Sequence, residues 1–248
     1  MLVDTHCHIH EADYQLDAND TIARAHASGV DQMICVGTGE ESSRRAVAFA
    51  AEFDEVYAAI GVHPHDTKDG YKDIKALAGS KKLVAVGEIG LDYFYNHSPR
   101  AVQIEGLKWQ IEFALENDLP IIFHVRDAFD DFWPIFDSYQ GIRGVIHSFT
   151  DNALNLQAAL SRGLYIGLNG ISTFTKNDAQ KEIFKSVPLD RILLETDAPF
   201  LTPAPFRGKV NEPAFVKNIA EYHAKNREIS LDDLASITTA NARALFAL

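Results

Sequence analysis

The chain has 248 residues, 46% of them hydrophobic and 23% charged, a composition that excludes a disordered or low-complexity protein. Its 23 basic against 35 acidic residues leave a net charge of −12, which excludes the overall basic footprint of a protein that grips nucleic acid by charge alone. No apolar run approaches the ~18 residues of a membrane span.

In chain order, short apolar or β-branched runs recur at Leu2–His6, Gln32–Val36, Val56–Gly61, Leu83–Glu88, Ile121–His124, Gly144–His147, Leu164–Leu168 and Ile192–Glu195. Segments with helical spacing lie between them, at Asn19–Ser28, Glu41–Phe53, Pro99–Asn117, Ala128–Tyr139, Asn152–Ser161 and Ala179–Lys185, and two more follow at Pro213–Asn226 and Leu231–Phe246. The longest places Val102, Leu107, Ile111, Ala114 and Leu115 on one face, with Gln103, Glu105, Lys108 and Glu112 between them. Ser98 before Pro99 has the chemistry of an N-cap, and Ser230 with Asp233 resembles a capping box. Strands alternating with helices predict parallel βαβ units. Eight of them, with no linker and at a length near ~250 residues, predict a single (β/α)8 TIM barrel over residues 1–248. A doubly wound open sheet is the rival. Cys7 and Cys35 fall inside apolar runs, as buried thiols of a reducing compartment do. With no basic-then-apolar leader before the run at Leu2, the expected setting is cytoplasmic.

The chemistry gathers at the ends of these runs. The first ends in Asp4-Thr5-His6-Cys7-His8, the third leads to Gly61-Val62-His63-Pro64-His65, and the fourth ends in Gly87-Glu88. The fifth ends in His124, the sixth in His147, and the eighth leads to Thr196-Asp197. In a parallel barrel all strand ends of this kind open on one face, the face of barrel active sites. His6 and His8 are two apart on extended chain and point the same way, a pincer for one ion, with Cys7 on the opposite face. Glu88 has two oxygens with which to bridge ions, and Asp197 can bind an ion and accept a proton from water. Imidazole mixed with carboxylate suits zinc, manganese or iron better than calcium. One histidine at a strand end is an ordinary polar residue, but so many runs terminating in metal-preferring side chains ask for a common cause, because buried ionisable groups are costly unless paired or metal-bound.

His26, His97 and His223 are read as ordinary helix or loop residues, and His10 is left open. Gly37-Thr38-Gly39 followed by Glu40 and Glu41 has the look of a dinucleotide fingerprint, but it lacks the third glycine and sets negative charge where a pyrophosphate would sit. It is read as a tight turn.

Asp4–His8, Gly61–His65, Gly87-Glu88-Ile89-Gly90-Leu91-Asp92, Leu194-Glu195-Thr196-Asp197-Ala198-Pro199, and Arg207-Gly208-Lys209 with Asn211-Glu212-Pro213 together resemble the TatD family of metal-dependent hydrolases over essentially the whole chain. The resemblance implies an amidohydrolase-like TIM barrel, a centre of two divalent ions (zinc, manganese or magnesium) and deoxyribonuclease activity. It implies that His6, His8, Glu88 and Asp197 hold one ion, and Glu88, His124 and His147 the other. Val125 stands where the family often has serine, and Asp151 where it often has glycine; neither change touches an implied ligand. The expected reaction is hydrolysis of phosphodiester bonds at DNA ends, with Asp197 moving protons and His63, His65, Arg126, Arg207 and Lys209 as phosphate contacts. Even with two ions bound the chain stays acidic, so a short single-stranded end or a nucleotide-like substrate fits better than duplex. Two alternatives are a metal-dependent esterase or deacylase acting on aminoacyl-tRNA or a small ester or amide, and a binding module with a relict site. Neither a membrane nor an obligate protein partner is expected.

Overall fold

A computed structural model describes all residues, 1–248. In chain order the elements are β1 (Leu2–Cys7), α1 (Ala18–Ala27), β2 (Val30–Val36), α2 (Glu40–Glu52), β3 (Val56–Ile60), β4 (Leu83–Asp92), α3 (Arg100–Glu116), β5 (Ile121–Arg126) and α4 (Phe129–Phe136). They continue with β6 (Gly144–Ile146), α5 (Ala153–Ser161), β7 (Tyr165–Leu168), α6 (Ile171–Phe174), α7 (Asp178–Ser186), β8 (Ile192–Leu194), α8 (Val216–Asn226) and α9 (Leu231–Phe246). The strands follow one another in the sheet in chain order, β1 to β8. All eight apolar runs are strands. Residues group into two compact units, Met1–Cys35 with Ser148–Leu248, and Val36–His147.

In the first unit, β1 pairs in parallel with β2, from Leu2 opposite Val30 to Cys7 opposite Cys35, and β7 pairs with β8. The ends of β1 and β8 are zipped together beyond the regular strands: Asp197 N–H donates to His6 O at 2.8 Å and His8 N–H to Ala198 O at 2.7 Å. Buried Asp4 completes this joint. Its Oδ1 accepts from Thr196 N at 2.8 Å, and its Oδ2 from the Thr196 hydroxyl at 2.5 Å. Burial pushes the Asp4 carboxyl well above its usual range, against the opposing pull of the Thr196 hydrogen bonds.

In the second unit, β3 to β6 pair in parallel. Gly90 lies opposite His124, and a Cβ there would meet the His124 carbonyl oxygen at 1.7 Å. Only glycine lets β4 run this close to β5 at the level of that histidine. Phe123, Phe132 and Phe136 form the apolar support beneath β5, with ring centroids 5.1 to 5.9 Å apart.

Two details differ from the sequence reading. β4 continues four residues past Glu88, to Asp92, because Gly90 and Leu91 remain in register with β5. Between β3 and β4, where the sequence offers no helical segment, the chain makes two short 3-10 turns, Thr67–Asp69 and Asp73–Leu77. Ser98 does not cap α3, whose first turn has no side-chain cap. Its hydroxyl donates to His65 O at 2.6 Å and accepts from Lys68 N. Ser230 does cap α9, with Asp233 N–H donating to its hydroxyl at 3.0 Å, but the reciprocal half of the box is replaced: the Asp233 carboxylate accepts from the Ser230 hydroxyl at 2.6 Å. Gly39 precedes α2 as the turn residue, as the reading of that glycine pair expects.

His223 on α8 is buried, with Nε2 2.9 Å from the Ser172 hydroxyl. Burial first, and Arg227 second, pull its pKa from 6.5 to about 3. The folded ring stays neutral while the unfolded ring takes up a proton below 6.5, so this group's stabilisation is complete above that pH and is lost as pH falls toward 3. His223→Leu is therefore expected to flatten the acid limb of the stability profile by on the order of 3 kcal/mol at about pH 4. Urea denaturation at several pH values checks this, and a variant limb that overlays the wild-type one contradicts it.

Candidate metal centre

In the first unit, the period of β1 sets His6 and His8 on one side and Cys7 on the other, its thiol 3.4 Å from Ile34 O. His6 Nε2 and His8 Nε2 are 3.1 Å apart. Asp197 Oδ1 lies 3.8 Å from the first and 3.3 Å from the second. Asp197 has a left-handed φ of 59°, a conformation aspartate tolerates better than most residues, and its N–H bond to His6 O holds it there. Ligands at ~2.0–2.2 Å around one tetrahedral ion are about 3.4 Å apart, and these three donor atoms have that spacing.

In the second unit the centre is Glu88, buried on β4. Its Oε1 lies 2.7 Å from His124 Nδ1, 3.6 Å from His147 Nε2 and 3.7 Å from His63 Nε2. An imidazole ligand needs its other nitrogen fixed by an acceptor, and His124 has one: its Nε2 donates to Asp92 Oδ2 at 3.0 Å. His65 Nε2 donates to the same oxygen at 2.9 Å, while Asp92 Oδ1 accepts from the backbone N–H groups of Phe94 and Tyr95 at 3.0 and 3.1 Å. Burial alone would raise the Asp92 pKa, but the bonds from His124, Tyr95 and His65 outweigh it and hold the carboxyl well below its usual range. His63, Asp92 and His124 also bring donor atoms within 4.8 Å of one another. Since both Asp92 oxygens already accept N–H groups, its role there is to brace His124. His63 is kept neutral by burial and then by His124, which together push its pKa well below 6.5.

The residues matching the TatD pattern thus fall into two sets whose donor chemistry fits divalent ions. A family model described as TatD related DNase matches residues 3–247. The chain is 42% identical over 252 residues to the uncharacterized metal-dependent hydrolase YabD of Bacillus subtilis (strain 168), with 99% of each chain covered. The chain belongs to the TatD family. It is also 36% identical over 243 residues to the 3'-5' ssDNA/RNA exonuclease TatD of Salmonella typhimurium, covering 93% of each. Among solved structures, the TatD homolog YJJV of Escherichia coli K12 is similar with a TM-score of 0.93 and 28% identity, covering 100% of this chain and 98% of that one. The fold class is accordingly the α/β TIM barrel of the TatD and amidohydrolase structures, and the doubly wound alternative falls away. As a TatD-family member the chain is a metal-dependent hydrolase acting on ester bonds.

The remaining sequence candidates divide. His65 is tied to the centre through Asp92. Arg126 lies over the Phe94 and Tyr95 rings, its guanidinium 4.0 and 4.8 Å from their centroids. Arg207 donates to Thr202 O at 2.8 Å and lies 3.8 Å over the Phe174 ring, and the Lys209 ammonium lies 5.2 Å from the Phe206 ring. His10, left open by the sequence, is buried with Nε2 3.4 Å from Glu11 Oε1.

Sequence reasoning gave no role to Asp92, Gln103 or Asp4. One signal pointed to Asp92: on a strand continued past Glu88, positions 88, 90 and 92 share a face. Gln103 looks like a solvent-facing helix residue by spacing, yet it is buried. Its Oε1 accepts from Asp92 N at 2.9 Å and its amide donates to Asp92 O at 3.0 Å. Asp92→Asn keeps an oxygen for the backbone turn but removes the charge that orients His124. It is expected to weaken metal binding by ~10–100-fold, measured by competition with a chromogenic chelator. Unchanged metal affinity would show that Asp92 does not act through His124.

Proposed function

We propose that this TatD-family hydrolase uses two divalent ions to remove nucleotides from single-stranded DNA ends, with residues 1–248 acting as one hydrolase domain. The observation that carries the reading is the 2.7–3.8 Å spacing of the imidazole and carboxylate atoms within each set, the spacing of groups that share an ion. His6, His8 and Asp197 would hold one ion, and Glu88, His124 and His147 the other. The Salmonella relative's name, a 3'-5' ssDNA/RNA exonuclease, supports a strand end as the substrate. A reducing, cytoplasmic setting agrees with the free buried thiols Cys7 and Cys35.

When bound, such ions supply positive charge for the phosphate oxygens and make water a competent nucleophile near neutral pH. The protein residues do the rest. Asp197 takes the proton of the attacking water as its oxygen bonds to phosphorus. The bond from phosphorus to the leaving sugar oxygen breaks, and Asp197 returns a proton to that oxygen, releasing a mononucleotide. Neutral His63 would hydrogen-bond a phosphate oxygen. Asp92 keeps His124 in one orientation throughout, so the site does not reorganise during the reaction.

End-labelled single strands with the magnesium-, manganese- or zinc-loaded protein test the reading. Stepwise mononucleotide release is expected, chelation should abolish it, and Asp197→Asn should lower kcat by roughly 10²–10⁴. Absence of cleavage with all three metals, alongside turnover of an aminoacyl ester by the same preparation, would replace the nuclease with a deacylase.

A further inference from the structure

Phe94 and Tyr95 are adjacent in sequence and about half exposed, at 54% and 51%. Aromatic side chains of this size ordinarily supply core area, yet these two project from the turn that ends β4. The turn is held firmly: Asp92 Oδ1 accepts both of their backbone N–H groups, and Gln103 grips the Asp92 backbone on both sides. The rings stand at 85° to each other with centroids 4.8 Å apart. Arg126 lies over both, and His97 stacks on Tyr95 at 5.7 Å and 8°. The patch is continuous with the centre, since Tyr95 meets His65 edge-on at 5.5 Å and His65 shares the Asp92 carboxylate with His124.

We infer that Phe94 and Tyr95, with Arg126, form a nucleobase-stacking subsite that receives an unpaired base of the strand whose end is being cleaved. This rests on the nuclease reading and narrows it. Aromatic surface that remains half exposed accepts any base and requires the base to be out of the double helix, which selects single strands without selecting sequence. Arg126 completes the complementarity: its charge faces a polyanion, and its planar guanidinium stacks on rings as readily as it pairs with phosphate. An acidic protein of net charge −12 gains little from long-range attraction to DNA, so contacts to the base faces would carry much of the affinity. The shared Asp92 couples the two ends of the arrangement, because the carboxylate that orients His124 also sets the turn presenting the rings.

The test measures binding of the metal-loaded protein to two labelled, hydrolysis-resistant phosphorothioate strands of about eight nucleotides, within the ~4–16 of a single-strand site. One is oligothymidylate and the other carries abasic sites throughout. Fluorescence anisotropy gives both Kd values. Wild type is expected to prefer the base-bearing strand by roughly 5–150-fold, the range that one stacked base supplies. Phe94→Ala with Tyr95→Ala is expected to bring that ratio close to one, and Tyr95→Trp to retain it. Thermal melting by circular dichroism verifies that the doubly substituted protein is folded, as substitution of half-exposed rings predicts. A wild-type ratio near one, or a doubly substituted protein that keeps the preference, overturns the subsite while leaving strand cleavage intact. A wild type that binds neither strand and cleaves none overturns the nuclease reading, and the subsite with it.

Discussion

The Asp92 carboxylate is the constraint around which the second unit is arranged. A buried carboxylate is tolerated only when its oxygens are fully used, and here four N–H groups converge on it, two from imidazoles and two from the backbone. Each such bond to a charged acceptor is worth on the order of 1.5–3 kcal/mol, enough together to keep the group ionised against burial. The consequence is geometric. His124 is held with Nδ1 toward Glu88, and the turn after β4 cannot drift. Gln103 reinforces the arrangement from α3, so a helix on the outside of the sheet helps fix a side chain at a strand end.

The first unit solves the same problem differently. Asp4 is also a buried carboxylate, but its partners are a hydroxyl and backbone N–H groups rather than imidazoles, and burial prevails in raising its pKa. Its work is to clasp the chain after β8 against β1, which brings Asp197 to His6 and His8. Two buried acids thus stand behind the two donor sets, one kept ionised by the groups it orients and one serving as a clasp between strand ends. In both cases a carboxylate that is not itself a proposed ligand decides where the proposed ligands sit.

The proposed substrate is a polyanion, whereas the chain itself is acidic. The donor sets are rich in carboxylate and imidazole, chemistry that calls for cations, and it is the cations that would meet phosphate. The protein's own positive charge near the second set is carried by residues such as Arg126, engaged on aromatic rings. Under the proposed nuclease reading, affinity for a strand end would depend on local contacts rather than on a field spread over the surface.

Local sequence determined much of this protein. The eight strands were legible because apolar periodicity is a property of a few consecutive residues, and the proposed ligands His6, His8, Glu88, His124, His147 and Asp197 were legible because metal-preferring side chains interrupt those runs at their ends. The long reach of β4 was not, since pairing of Gly90 with His124 depends on a neighbouring strand and on the absence of a Cβ. The roles of Asp92, Gln103, Ser98 and Asp4 were decided by tertiary structure alone. Each is a polar residue whose meaning lies in partners that folding supplies, from 11 residues away for Gln103 to 192 for Asp4. A buried hydrogen-bonding group must be satisfied, but the chain's local pattern does not say by whom.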